Sequence, residues 1–260
     1  MDGSDRVARR YDDLVVEIHE ETRGAGEAAA GAAAETLAAA IERSGRARVV
    51  FATGTSQLAF FAALRRATGV DWRRVEAFHM DEYLGIDERH PAGFRAFLRR
   101  ELIEPLGIGT FHGIDGDPDR AAETAERYAR RLAEAPIDLC CMGIGENGHL
   151  AFNDPPVARF DDPEDVKVVP LDETSRRQQV GEGHFGSLDE VPTHALTLTI
   201  PALLRASRVQ VLAPEARKAE AVRAALEGPV EESCPASILR RTSHATLYLD
   251  AASASRLSGS

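Results

Sequence analysis

Residues Ile137–Pro155 read IDLCCMGIGENGHLAFNDP. The first six, Ile137–Met142, form an apolar run of strand length, and Gly143, Gly145 and Gly148 follow within six positions. A short apolar run closed by glycine is the pattern of a buried strand that ends in a tight loop. Cys140 and Cys141 lie inside the run. Adjacent cysteines lack the two-residue gap of zinc and redox pairs, so they read as small core residues.

The same alternation extends outward in both directions. Ala121–Ala133 is helical in composition and leads into the strand. Toward the start, Ala25–Arg43 is an Ala-rich helix bounded by Gly24 and Ser44–Gly45. A strand at Arg48–Thr53, a helix through Phe60–Arg66, a strand at Val75–Met80 and a helix at His90–Leu102 come next. Toward the end stand strands at Val166–Leu171, Leu196–Ile200, Val209–Leu212 and Thr246–Leu249, with a helix at Arg217–Leu226 between the last two. Strands that alternate with helices predict βαβ units, hence a mainly parallel sheet with helices on both faces. Right-handed crossovers then put ligand sites beyond the carboxyl ends of the strands. The final residues, rich in Ala and Ser, read as a loose tail.

Composition narrows the function classes. The chain has 260 residues, 43% hydrophobic and 28% charged, which suits one large α/β domain or two small ones. No run of about eighteen apolar residues is present to span a membrane. Met1–Tyr11 is polar, without the apolar stretch of a signal peptide, so a cytoplasmic protein is expected. A net charge of -11 argues against a nucleic-acid partner and gives no subunit number, so a homo-oligomer stays open. An anionic ligand would have to be held by local N–H groups and a few cations, against the field of the whole protein.

Three loops follow three of these strands. In Thr53-Gly54-Thr55-Ser56-Gln57, glycine permits close backbone approach, and the hydroxyls with the following helix start could hold a phosphate. A capped strand-to-helix turn is the alternative. In His79-Met80-Asp81-Glu82-Tyr83-Leu84-Gly85, a carboxylate whose pKa is raised by partial burial could act as a general base. Here the alternative is that Asp81 caps a helix and Glu82 is solvated. In Gly143–Pro156, His149 could shuttle a proton, with Asp154 folding back to orient its ring. No second His or Cys stands at ligand spacing, so no metal site is expected.

Taken together, ATGTSQ (Ala52–Gln57), MDEYLG (Met80–Gly85), HPAGFRAFL (His90–Leu98) and IDLCCMGIGENGHLAFNDP resemble the glucosamine-6-phosphate deaminase family, relatives of 6-phosphogluconolactonase. The likeness runs from about Leu14 to Leu249. It implies a three-layer αβα fold of Rossmann-like type in a single domain, 1–260, with a lid within residues 155–188. It implies that Thr53, Gly54, Thr55, Ser56 and Lys218 surround a sugar phosphate. Asp81 would be the base at C2, and His149 the ring-opening group held by Asp154. No cofactor is implied.

Asn147 stands where the family often has Asp, and can hydrogen-bond but not share a proton. Asp154 stands where Glu is usual and is one methylene shorter, so its reach to His149 calls for a backbone adjustment. The family's lid arginine would fall within Ser175-Arg176-Arg177-Gln178-Gln179 or near Gly183-His184-Phe185, and the sequence leaves its identity open. The implied reaction converts glucosamine 6-phosphate to fructose 6-phosphate and ammonia. Lactone hydrolysis, the same chemistry on another hexosamine phosphate, and a non-catalytic sugar-phosphate sensor are the rival readings. Ala151-Phe152-Asn153 after the histidine and Tyr83 after Asp81-Glu82 favour the deaminase over the lactonase.

Overall fold

The computed structural model describes residues 6–259 apart from 182 and 184. Strands β1 (Arg6–Tyr11) and β2 (Leu14–His19) form an antiparallel hairpin at the start. Then follow α1 (Thr22–Ser44), β3 (Ala47–Phe51), α2 (Leu58–Leu64), β4 (Val75–His79) and the short β5 (Asp81–Tyr83). Next, α3 (Phe94–Leu98) runs through a π turn at Arg99–Ile103 into α4 (Glu104–Leu106), ahead of β6 (Thr110–His112), α5 (Ala121–Ala133) and β7 (Leu139–Gly143). The rest comprises β8 (Val166–Pro170), α6 (Glu173–Gly181), β9 (His194–Leu198), α7 (Ile200–Leu204), β10 (Arg208–Leu212), α8 (Ala219–Glu227), β11 (Ala245–Asp250) and α9 (Ala251–Ala254).

Among the described residues the main sheet has the order β1-β2-β11-β10-β7-β3-β4-β6, parallel from β2 to β6. One face packs on α1, α2 and the helical run from α3, through Ala33, Leu37, Phe51, Phe60, Phe61 and Leu102. The other packs on α5, α7 and α8, through Met142, Tyr128, Leu203, Val211 and Val222. This is the expected three-layer αβα arrangement. Cys140 and Cys141 sit in it fully buried. Arg48, at the start of β3, is 2% exposed. Its guanidinium donates to the carbonyls of Arg131, Leu132 and Ala135 at the end of α5 and pairs with Glu76, so a cation occupies the negative end of that helix.

The structure corrects the sequence reading in three places. Val166–Leu171 and Leu196–Ile200 do not join the parallel sheet. β8 and β9 form a separate antiparallel sheet with β5. The second run also stops early: Thr199 caps α7 with its side chain, and Ile200 opens that helix. The C-terminal stretch is docked. Asp250 and Ser253 form a capping box at α9, Ala254 and Leu257 are buried, and Arg9 reaches the carbonyl of Gly259 at 2.7 Å. The β1–β2 hairpin carried no apolar signature in β1, whose side chains are largely exposed.

Topology fixes where a ligand fits. From β3 the chain crosses to β4 on one side, whereas from β7 it proceeds to β10 and β11 on the other. Loops leaving β3 and β7 therefore diverge, and a crevice opens between their carboxyl ends.

Candidate active site

The crevice is a pocket enclosing about 780 Å³, counting solvent at its mouth. It is lined by the loop after β3 (Thr53–Ser56), by Met80 and Asp81 after β4, by Gly143–Gly145 and His149 after β7, and by Arg217 and Lys218 after β10. Phe94, Phe97, Ala151 and Phe152 supply apolar wall, and Gln179 of α6 faces in from above. Loops far apart in sequence thus converge because their strands are neighbours in one parallel sheet.

The β7 wall is a hydrogen-bonded relay. His149 Nδ1 lies 2.9 Å from Asp154 Oδ1. Asn147 Nδ2 donates to the same oxygen at 2.8 Å, while its Oδ1 accepts from the backbone N–H of His149 at 3.1 Å. The shorter Asp154 does reach the ring. A tight turn makes this geometry: Ala151 adopts φ 51, and the buried Asn153 side chain donates to the carbonyls of Leu150 and Leu198, each at 2.8 Å. An amide at position 147 is a pure donor toward Asp154 Oδ1. A carboxylate there would instead face another carboxylate and have to share a proton. Asp154 therefore accepts from both neighbours, which places the histidine's proton on Nδ1. Gly145 is required by the ring, since a Cβ there would come within 2.2 Å of His149 Nε2.

The opposite wall is built differently. β4 ends at His79, whose backbone N–H donates to Tyr128 Oη at 3.0 Å, and whose Nε2 accepts from Ile114 N–H at 2.7 Å. Burial depresses the His79 pKa to about 3, and nearby Arg95 and Arg99 add to this, so the ring is a neutral strut. The chain then turns at Met80, whose carbonyl accepts from Leu198 N–H. Asp81 follows, paired in register with Thr197. It is 6% exposed, and its Oδ1 has no hydrogen-bond partner. Burial, and secondarily the charge of Glu82, raise its pKa well above the ordinary aspartate value. Asp81 is thus a buried pocket carboxylate and caps no helix.

Glu82 is likewise buried, not solvated. Its carboxylate accepts from the N–H groups of Tyr83, Phe94 and Arg95 at 3.0, 3.0 and 2.8 Å, and so holds the start of α3 against the site. Burial raises its pKa, and those three bonds oppose the rise.

The Thr53–Ser56 loop and Lys218 also come together at the pocket. Gly54 has φ 106 and ψ 160, a conformation essentially restricted to glycine. It is followed by a 3₁₀ turn at Thr55–Gln57 before α2 begins. Lys218 is 3% exposed, not the surface lysine its position on a helix start would suggest. Sequence reasoning missed Arg217, its neighbour, and Gln179 as pocket residues. The signal available for Arg217 was its adjacency to Lys218. Neither arginine of α6 lines the pocket. Arg176 donates to the carbonyls of Leu188 and Val191, and Arg177 pairs with Glu173. His184 and the side chains of Ser175 and Gln178 lie outside the described residues. Among the described residues, no group of three His, Cys, Asp or Glu could hold a metal ion, and no helix is long and apolar enough to cross a membrane.

Comparison with known proteins identifies the family. A family model described as glucosamine-6-phosphate isomerases/6-phosphogluconolactonase matches residues 20–248. The glucosamine-6-phosphate deaminase of Streptomyces avermitilis is 37% identical over 86% of this chain and 87% of its own. A solved structure of a monomeric glucosamine-6-phosphate deaminase superposes with a TM-score of 0.84 at 27% identity, covering 92% of this chain and 98% of that one. The 6-phosphogluconolactonase of Trypanosoma brucei shares the fold, with a TM-score of 0.75 at 18% identity over 97% of this chain and all of that one (100%). The chain belongs to the glucosamine-6-phosphate isomerase/6-phosphogluconolactonase family.

Proposed function

We propose that this enzyme isomerises and deaminates glucosamine 6-phosphate, giving fructose 6-phosphate and ammonia. The observation that carries the reading is the meeting, in one pocket, of a buried carboxylate whose Oδ1 has no hydrogen-bond partner, a carboxylate-oriented histidine and a buried lysine. The 37% identity to a deaminase selects this chemistry over lactone hydrolysis, for which the likeness supports the fold alone.

In this mechanism Lys218, Thr55, Ser56 and the backbone of Thr53 and Gly54 grip the phosphate. That anchors the far end of the sugar, so its binding energy can orient C1 and C2. His149, with Nδ1 held by Asp154, moves the anomeric hydroxyl proton to the ring oxygen through Nε2 and opens the ring. Asp81 as carboxylate takes the C2 proton, giving an enolamine. A proton returns at C1, and water hydrolyses the resulting ketose imine, which releases ammonia. Each step is a proton transfer or hydration that these side chains can serve without a cofactor. Asn147 acts through Asp154 as a positioning residue. We assign residues 155–188 as a lid on the single domain, with α6 and its Gln179 over the pocket mouth. The free thiols fit a cytoplasmic protein.

The test is ammonia release, with fructose 6-phosphate measured in parallel, across glucosamine 6-phosphate, its galactosamine epimer and 6-phosphogluconolactone. Equimolar ammonia and fructose 6-phosphate from the glucosamine ester is expected. Lactone hydrolysis without ammonia release from either hexosamine would overturn the reading.

A further inference from the structure

Arg217 sits beside Lys218 at the carboxyl end of β10, and its guanidinium bridges three loops at the pocket rim. Nε donates to Glu215 Oε2 at 2.8 Å, Nη1 to Glu146 Oε1 at 3.1 Å, and Nη2 to Thr55 Oγ1 at 3.2 Å. The two carboxylates play different parts. Glu215 belongs to the same turn, where it adopts φ 81, and its backbone N–H is clamped by both carboxylate oxygens of Asp250 at 3.1 and 3.0 Å. That clamp fixes the origin of the arginine side chain. Glu146 comes from the β7 loop, three residues before His149, and its side chain is 39% exposed. It holds the outer edge of the guanidinium across the mouth of the pocket.

A phosphate dianion calls for about two positive charges, and a chain of net charge -11 must supply them locally. Lys218 supplies one. The α6 arginines are engaged within their own segment. We propose that Arg217 is the second phosphate cation and that Glu146 is its parking partner. When the sugar phosphate seats beside Thr55, the Nη1–Nη2 edge passes from Glu146 to the phosphate, and Nε stays on Glu215. This inference rests on the sugar-phosphate reading above. The guanidinium fork suits the exchange, because it matches carboxylate and phosphate oxygens with the same bidentate geometry. Glu146 then competes with the phosphate twice: it holds the cation, and it repels the dianion. Removal of the two partners should therefore have opposite signs, which no simple structural brace would produce.

The experiment measures KM for glucosamine 6-phosphate and, independently of turnover, the calorimetric Kd for inorganic phosphate on the full chain. Arg217→Gln should raise both by about tenfold or more, the worth of a charged hydrogen bond, with the loss falling in KM more than in kcat. Glu146→Gln should lower both severalfold. In the Arg217→Gln background, the Glu146→Gln gain should shrink. Arg217→Gln with the parent's phosphate affinity would overturn the proposal, as would Glu146→Gln that weakens phosphate binding. A parent that releases no ammonia from any hexosamine phosphate would sink the activity reading. The phosphate Kd values would still decide the role of Arg217.

Discussion

Asp81 and Asp154 are the same residue type, both almost wholly buried; Asp81 lines the pocket, and Asp154 sits behind the pocket's His149. Asp154 accepts from His149 and Asn147 within 3 Å. Asp81 Oδ1 meets no donor. The first carboxylate spends its charge on orienting a ring. On the second, no donor stabilises the charged form at Oδ1, and burial raises its affinity for a proton. Environment, not residue identity, separates the proposed positioner from the proposed base.

The sharpest way to break this comparison is Asp81→Asn. It keeps the shape and removes the proton acceptor, so kcat should fall by on the order of 10²–10⁴. Exchange of the C2 proton with deuterated solvent should be lost along with it. Exchange at the parent's rate would move the base elsewhere.

Asp154→Asn should cost less, roughly 10–10²-fold in kcat, since the ring remains but its tautomer is no longer dictated by an anion. The pH dependence of kcat should shift with it. A merely structural Asp154 would leave the pH profile in place and lower only the yield of folded protein.

Glu82→Gln sharpens the comparison from the neighbouring position. An amide can still accept from Tyr83 and Phe94, but it points a donor at Arg95 N–H, which should destabilise the fold by about 1 kcal/mol. For a chain of this size that is a fall in Tm of roughly 2–4 °C. C2 exchange should persist, because Glu82 is committed to backbone.

The smallest effect has the opposite sign. The folded-state pKa of Asp81 is raised, so its contribution to stability is fully present below about pH 4, the unfolded aspartate value, and is lost as pH rises through the folded pKa. Asp81→Asn should therefore raise Tm at pH 7, by about 2–4 °C per kcal/mol regained, and the gain should vanish near pH 4. Thermal melts at the two pH values check this. An equal gain at both would mean that buried charge is not the cause.

Much of this molecule was legible in its residues. The helix at Ala121–Ala133 and the βαβ alternation could be read directly, because their apolar spacing reports burial locally. The three loops could be placed at strand ends for the same reason. The β5–β9–β8 sheet could not, since a strand run carries no mark of which partner it pairs with. β1 escaped because it is an edge strand held by hydrogen bonds, with exposed side chains.

The sequence by itself determined the α/β class, the inventory of reactive groups and, through the order of its motifs, the family. It determined these because periodicity and spacing are properties of neighbours in the chain. Tertiary structure decided everything that depends on what lies across a gap. Lys218 became a buried pocket cation because the β10 and β7 ends are adjacent. Glu82 became a clamp because α3 begins where its carboxylate points. Asp81 became a base candidate because β4 and β5 meet at a corner that excludes both water and hydrogen-bond donors from one oxygen. Burial and hydrogen-bond partnership are set by residues far away in the chain, and they alone convert a list of carboxylates into distinct chemical roles.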